Sequence, residues 1–120
     1  MATSEFDARV RTESNVAVID LRGELNADAE ETLNAAYAEA VTSHPSSVLL
    51  NFRDVEYINS TGIALIVGIL AQARKARQSI SASGLSDHYR EIFQITRLVD
   101  FMSIFPDEKT ALAEKPAPTT

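Results

Sequence analysis

Apolar and polar positions alternate near the start of the chain, where Phe6, Ala8 and Val10 are separated by Asp7 and Arg9. That period of two predicts a half-buried strand. Val16 to Leu21 predicts a second strand, joined to the first by a tight turn at Glu13-Ser14-Asn15 to make a hairpin. Gly23 breaks the pattern. A helix is expected from about Ala27 to Ser43, because Leu33, Ala36, Tyr37, Ala40 and Val41 fall on one face. Asn26 can cap its start, and Asp28, Glu30 and Glu31 crowd the first turn, where negative charge is favoured. His44-Pro45 ends it, since proline cannot continue a helix and restrains the residue before it.

Ser47 to Phe52 is short and apolar without clean alternation, the mark of a strand buried on both faces. Residues 55 to 70 follow as VEYINSTGIALIVGIL. From Ile63 to about Gln78 the length and spacing predict a helix whose first half, apolar all round, should be largely buried. Ser79 to Ala82 predicts a small strand closed by Gly84, and Leu85, Tyr89, Ile92, Phe93 and Leu98 then recur at helical spacing. Val99 to Phe105 contains a last strand and Pro106 to Glu114 a short helix, before a frayed tail from Lys115 to Thr120. Two strands followed by alternating helix and strand imply an α/β fold with a small mixed β-sheet and about four helices, packed mainly on one side. We expect one domain over residues 4–114 and a flexible C-terminal tail over 115–120.

Composition changes this picture mainly by exclusion. One hundred and twenty residues, 45% apolar and 23% charged, suit a single globular domain with a real core. There are no cysteines, hence no disulfide or thiolate metal site, and His44 and His88 alone make no convincing zinc site. The run Ile63 to Leu70 is far short of the roughly 20 apolar residues of a bilayer span. The N-terminus lacks the basic start and apolar stretch of a secretory signal, so a cytoplasmic protein without membrane association is expected. A net charge of −6 opposes generic nucleic-acid binding. The cluster Arg74, Lys75, Arg77 reads as the last turn of a helix, where cations complement the macrodipole, rather than as a phosphate patch. No Ser/His/Asp arrangement, phosphate-binding glycine loop or H-E-x-x-H helix occurs, and Asp54 and Glu56 do not converge as an acid pair. We therefore expect no enzyme and no cofactor.

The polar knot Asn59-Ser60-Thr61-Gly62 at a strand-to-helix junction carries two readings. In the first, Asn59 or Ser60 caps the helix, worth around 1 kcal/mol, and Gly62 permits close approach or unusual backbone angles. In the second, a hydroxyl held at the helix's positive end accepts a phosphate that the dipole tolerates but a docked partner does not. The sequon Asn59-Ser60-Thr61 is discounted for a cytoplasmic chain.

Four stretches, VAVIDLRGELNADAEETL, SVLLNFRDVEYINSTGIALIVG, SISASGLSDHYREIFQITRLVDFMSIF and DEKTALAE, together resemble the anti-sigma factor antagonist family, the single-domain form of the STAS fold. The Gly-Glu-Leu stretch and the Ser-Thr-Gly junction are specific in combination and weak alone. The resemblance implies a partner switch without catalytic machinery. An unmodified antagonist binds an anti-sigma factor that is also a serine kinase and so releases a sigma factor. The kinase phosphorylates the antagonist, and a metal-dependent PP2C-type serine phosphatase reverses it. By this resemblance the phosphoacceptor is Ser60, with Thr61 second to it. The docking surface comprises Glu24, Leu25, Asn26, Ile58, Asn59, Thr61, Gly62 and Ile63, and a free monomer suits a module that exchanges partners. Three positions depart from the family pattern: Asn59 and Asn26 stand where Asp is usual, and Arg97 where a glycine often ends the helix. Both asparagines keep an oxygen able to cap but lose a charge near Ser60. The competing reading keeps the fold and makes the chain a non-switching STAS scaffold subunit of a stress-sensing or lipid-transport complex.

Overall fold

The computed structural model describes residues 5–113; Ser4, Glu114 and the expected tail 115–120 lie outside the described residues. Strands β1 (Asp7–Glu13), β2 (Val16–Leu25), β3 (Ser47–Ile58), β4 (Ser79–Ser83) and β5 (Ser103–Phe105) form one sheet in chain order. β1 and β2 are antiparallel; every later neighbour is parallel. Parallel neighbours need crossovers, supplied by α1 (Glu30–Val41), α2 (Ser60–Lys75) and α3 (Asp87–Ile95). Crossovers are right-handed almost without exception, so a sheet that grows steadily in one direction places all its crossover helices on one face. The main core agrees, with Leu33 and Tyr37 of α1, Ile66, Ile69 and Leu70 of α2, and Phe93 of α3 in one cluster with Ile19, Val48 and Leu50. Phe93, Ile66 and Ile69 are fully buried, each worth about 1.5–3 kcal/mol of transfer free energy. Phe93 meets Phe52 edge-to-face at 5.7 Å, which anchors α3 to β3.

α4 (Glu108–Ala113) covers the opposite face, where Ala111 and Leu112 pack with Val18 and Leu49. A polar clasp reinforces it. Arg11 donates from Nε to Asp20 at 2.6 Å and from Nη2 to both Asp20 and Glu108, while Asn51 donates to Asp20 at 2.8 Å. The hydrogen bond from Arg11 holds the Asp20 carboxyl below its ordinary range, and both carboxylates push the guanidinium further up.

Several boundaries differ from the sequence-based expectation. Gly23 does not end β2. It adopts φ +92° inside the strand, at a register shift against β3, and a Cβ there would lie 2.3 Å from the Glu5 carbonyl oxygen. β3 likewise runs to Ile58 rather than stopping at Phe52, because the extension Asp54–Ile58 pairs with Arg22–Leu25. The hairpin turn forms as expected, with Ser14 at φ 48° and Asn15 at φ 70°, the left-handed pair that a two-residue connection requires. Before α1 a short 3₁₀ turn, Ala27–Ala29, replaces the expected first α-helical turn, and Asn26 accepts the Asp28 N–H at 2.9 Å. The segment Val99 to Phe105 is strand only over its last three residues, Val99 lying in a 3₁₀ turn, Leu98–Asp100.

Three of the crossovers' helix ends are followed by non-glycine residues with positive φ: His44 at 52°, Arg77 at 58° and Arg97 at 67°. A side chain there costs roughly 1–2 kcal/mol that glycine avoids. Arg97 also donates to Asp100 at 2.8 Å, but the arginine side chain is 78% exposed and such pairs contribute little. Arg97→Gly is therefore expected to stabilise the fold by about 0.5–1 kcal/mol, read as a higher urea midpoint at unchanged slope. A lower midpoint would contradict this reading of the α3 terminus.

Candidate functional site

The last residues of β2 and β3 project past the rest of the sheet. β1 pairs with β2 only as far as Arg22, and β4 with β3 only as far as Asn51, so Gly23–Leu25 and Val55–Ile58 form a two-stranded parallel ledge. The polar knot stands at its tip. Asn59 is extended (φ −95°, ψ −177°) and caps α2, its Oδ1 accepting the Gly62 N–H at 2.8 Å. Its carbonyl accepts the first helical bond, from Ile63 N–H at 3.0 Å. Of the two residues proposed as the cap, Asn59 fills the role, which leaves the Ser60 hydroxyl uncommitted among the described residues. Ser60 is the first residue of α2 and is exposed, as is Thr61.

What fixes the knot is backbone-to-backbone contact. Asn59 N–H donates to the Leu25 carbonyl at 3.2 Å, and a Cβ on Gly62 would lie 2.1 Å from that same oxygen. Only glycine lets the first turn of α2 approach the end of β2 so closely. Leu25 itself is fully buried, so its carbonyl is held by the core.

The residues expected to form a docking surface divide by exposure. Ser60 and Thr61 are exposed, while Glu24, Asn26, Asn59 and Ile63 are half-buried and reachable at the tip of the ledge. Leu25, Ile58 and Gly62 are buried, which corrects the expectation for Ile58 as an exposed apolar contact: its side chain, 5% exposed, packs in the core. These three shape the platform from beneath. The apolar first half of α2 is also less buried than its composition implies. Ala64, Val67 and Gly68 face outward, Val67 at 46% exposure, because α2 covers the sheet with one face and no element among the described residues covers the other. Of the three cations expected in its last turn, Arg74 and Lys75 lie there, while Arg77 falls past the Ala76 cap in a left-handed conformation; Arg74 also stacks over Phe101 at 5.5 Å.

Sequence reasoning missed one polar contact at the site. The Tyr89 hydroxyl, from α3, accepts the Ile58 N–H at 2.9 Å. It also missed Ser86, whose hydroxyl accepts the Tyr89 N–H at 3.3 Å as the cap of α3, although Ser86-Asp87 before an amphipathic stretch is a recognisable start signal. His88 is exposed and lies against the Tyr89 ring at 4.9 Å. Among the described residues, no helix is long and apolar enough to cross a membrane, and no group of three or more His, Asp or Glu could hold a metal ion.

Comparison with known proteins places these features. The family model described as "Mlab, STAS domain" matches residues 8–104. BtrV of Bordetella bronchiseptica, a candidate anti-sigma factor antagonist, is 31% identical over 86 residues, 72% of each chain. The anti-sigma-B factor antagonist of Staphylococcus aureus is 33% identical over 57 residues, 48% of this chain, a match that spans about half (53%) of that relative's length. Among solved structures, an anti-sigma factor antagonist from Mycobacterium paratuberculosis superposes with a TM-score of 0.80 at 19% identity, over 93% of this chain and 95% of that one, a likeness of fold.

The contact between Gly62 and Leu25 has a direct test within one helix. Gly62→Ala is expected to cost about 1–3 kcal/mol of stability, since a methyl must displace backbone. Gly68→Ala, with nothing within 4 Å of the added carbon, is expected to stabilise by about 0.5–1 kcal/mol. Equal effects of the two variants in chemical denaturation would contradict the close approach.

Proposed function

The chain belongs to the STAS domain family as a member of the anti-sigma factor antagonists, a group of non-enzymatic regulators, and on that premise we propose that it binds an anti-sigma factor serine kinase through the Ser60 tip, releasing a sigma factor until Ser60 is phosphorylated. One observation carries the reading: Ser60 is exposed at the first position of α2, while its neighbour Asn59 does the capping. The hydroxyl is thus not needed to hold the helix. A phosphate adds a charge of roughly −1.5 to −2 and three acceptor oxygens, and it would arrive at the positive end of a 16-residue helix. The N–H groups of Ser60 and Thr61 have no acceptor among the described residues and could bond it. The fold therefore bears the anion easily.

A docked partner does not. Its surface over Glu24, Asn26, Asn59, Thr61 and Ile63 would meet a desolvated dianion, and one unpaired charge at a contact costs several kcal/mol. Thr61 is the second candidate acceptor. A PP2C-type phosphatase, itself metal-dependent, would reset the switch. Asn26 and Asn59 supply their capping oxygens without the charge of the usual aspartates, so a kinase group that pairs with those carboxylates would bind here through weaker neutral bonds.

The test is to incubate the protein with the serine kinases of its own genome and ATP and to map the product by mass spectrometry. Phosphate is expected on Ser60, with Ser60→Ala abolishing it, and Ser60→Asp is expected to weaken kinase binding by about 2 kcal/mol or more. Absence of phosphate from residues 59–61, with each kinase active on a control substrate, contradicts the switch. Recovery of stress-sensing or lipid-transport subunits by the unmodified protein, with binding indifferent to Ser60→Asp, supports the scaffold reading instead.

A further inference from the structure

The ledge that carries Ser60 is held on two sides by different devices. On the β2 side, the Leu25 carbonyl accepts the Asn59 N–H. On the other side no strand is available, because β4 stops pairing with β3 at Asn51. The Ile58 N–H, two residues before Ser60, would have no acceptor there. Its residue is 5% exposed, so water is a poor substitute, and a buried N–H demands a partner. The Tyr89 hydroxyl takes the place of the missing strand, accepting that N–H at 2.9 Å.

Tyr89 is itself well placed to be rigid. It belongs to the first turn of α3, where Ser86 caps its N–H, and four residues on Phe93 locks the helix against Phe52. The chain from the core to Ser60 is thus Phe52, Phe93, Tyr89, Ile58, Asn59. A tyrosine at this spacing in an amphipathic helix reads as a core residue, and it does line the groove with Phe52, Ile58 and Leu85; its polar end does something more specific.

We propose that Tyr89 is a positioning residue for Ser60: its hydroxyl, by holding the Ile58 N–H, sets the direction in which the Ser60 hydroxyl is presented. The kinetic consequence rests on Ser60 being the phosphoacceptor, as proposed above. In that transfer Ser60 Oγ bonds to the γ-phosphorus of ATP while the bond to the β–γ bridging oxygen breaks. The hydroxyl proton passes to a base on the kinase, and ADP leaves. In-line attack of this kind is sensitive to displacements of an ångström or less, so a loosened Ile58–Asn59 segment slows the chemical step more than it weakens docking.

Tyr89→Phe tests this because it keeps the ring and removes only the acceptor. Ile19→Val, a trimming of the core away from the ledge, is the control for simple loss of stability. Two readouts are compared with the unmodified chain. By hydrogen exchange, Tyr89→Phe is expected to speed the amides of residues 58–62 by about tenfold or more, with those of β2 residues 17–21 changed no more than in the control. With the serine kinase that phosphorylates the unmodified chain, kcat is expected to fall about tenfold with KM within about twofold, and the control to leave both unchanged. Unchanged exchange at 58–62 overturns the positioning role whether or not a kinase acts. Faster exchange with unchanged kcat overturns its consequence for phosphorylation. If the unmodified chain takes no phosphate at Ser60, the switch reading fails, and the exchange result alone decides the role of Tyr89.

Discussion

The carbonyl oxygen of Leu25 is the point on which the site depends. It accepts the Asn59 N–H, and it stands where a side chain at residue 62 would have to be. The end of β2 and the start of α2 therefore touch through backbone alone, an approach that glycine permits and any Cβ forbids. Because the Leu25 side chain is sealed in the core, that oxygen is as fixed as the sheet itself. Asn59 is extended, its amide oxygen accepts the Gly62 N–H, and Ser60 is left exposed. The Ser60 hydroxyl is exposed here by the packing of its neighbours, at the first residue of a helix.

The rest of the fold separates the jobs of stability and display. The crossover helices α1 to α3 and the sheet hold the core, and α4 is fastened on the opposite face by apolar packing and the Arg11–Asp20–Glu108 cluster. Ser60 belongs to neither cluster. The first turn of α2 contains no acidic residue, and the two flanking caps are asparagines. On the proposed reading, a covalent anion added at the tip would change a docking surface and leave the interior packing untouched.

Much of this was legible in the sequence, and the omissions have physical causes. The hairpin, the alternating strands and helices and the α1 face followed from periodicity, because one-sided burial imposes it. Asn26 and Asn59 were readable as caps, since a short side-chain oxygen before a helix has little else to do. The ledge was not readable. Gly23 looked like a terminator and the third strand was read only to Phe52, yet Arg22–Leu25 and Asp54–Ile58 keep each other in the sheet by pairing, a tertiary fact that local pattern does not carry. Ile58, expected in the docking surface, is drawn into the core by the same pairing. Helix ends closed by His44, Arg77 and Arg97 in left-handed conformations give no glycine signal, and a tyrosine whose hydroxyl serves a distant backbone N–H looks like any other core aromatic.

The most direct measurement is a comparison of backbone amide spectra of the protein with and without phosphate on Ser60, together with the unfolding temperature of each. The expected result is chemical-shift change confined to residues 24–26 and 58–63, with unfolding temperatures within a few degrees, while the phosphorylated form no longer retains its kinase. Shifts spread through the strands, or a domain that melts when the anion is added, would contradict a tip that changes docking and leaves the architecture intact.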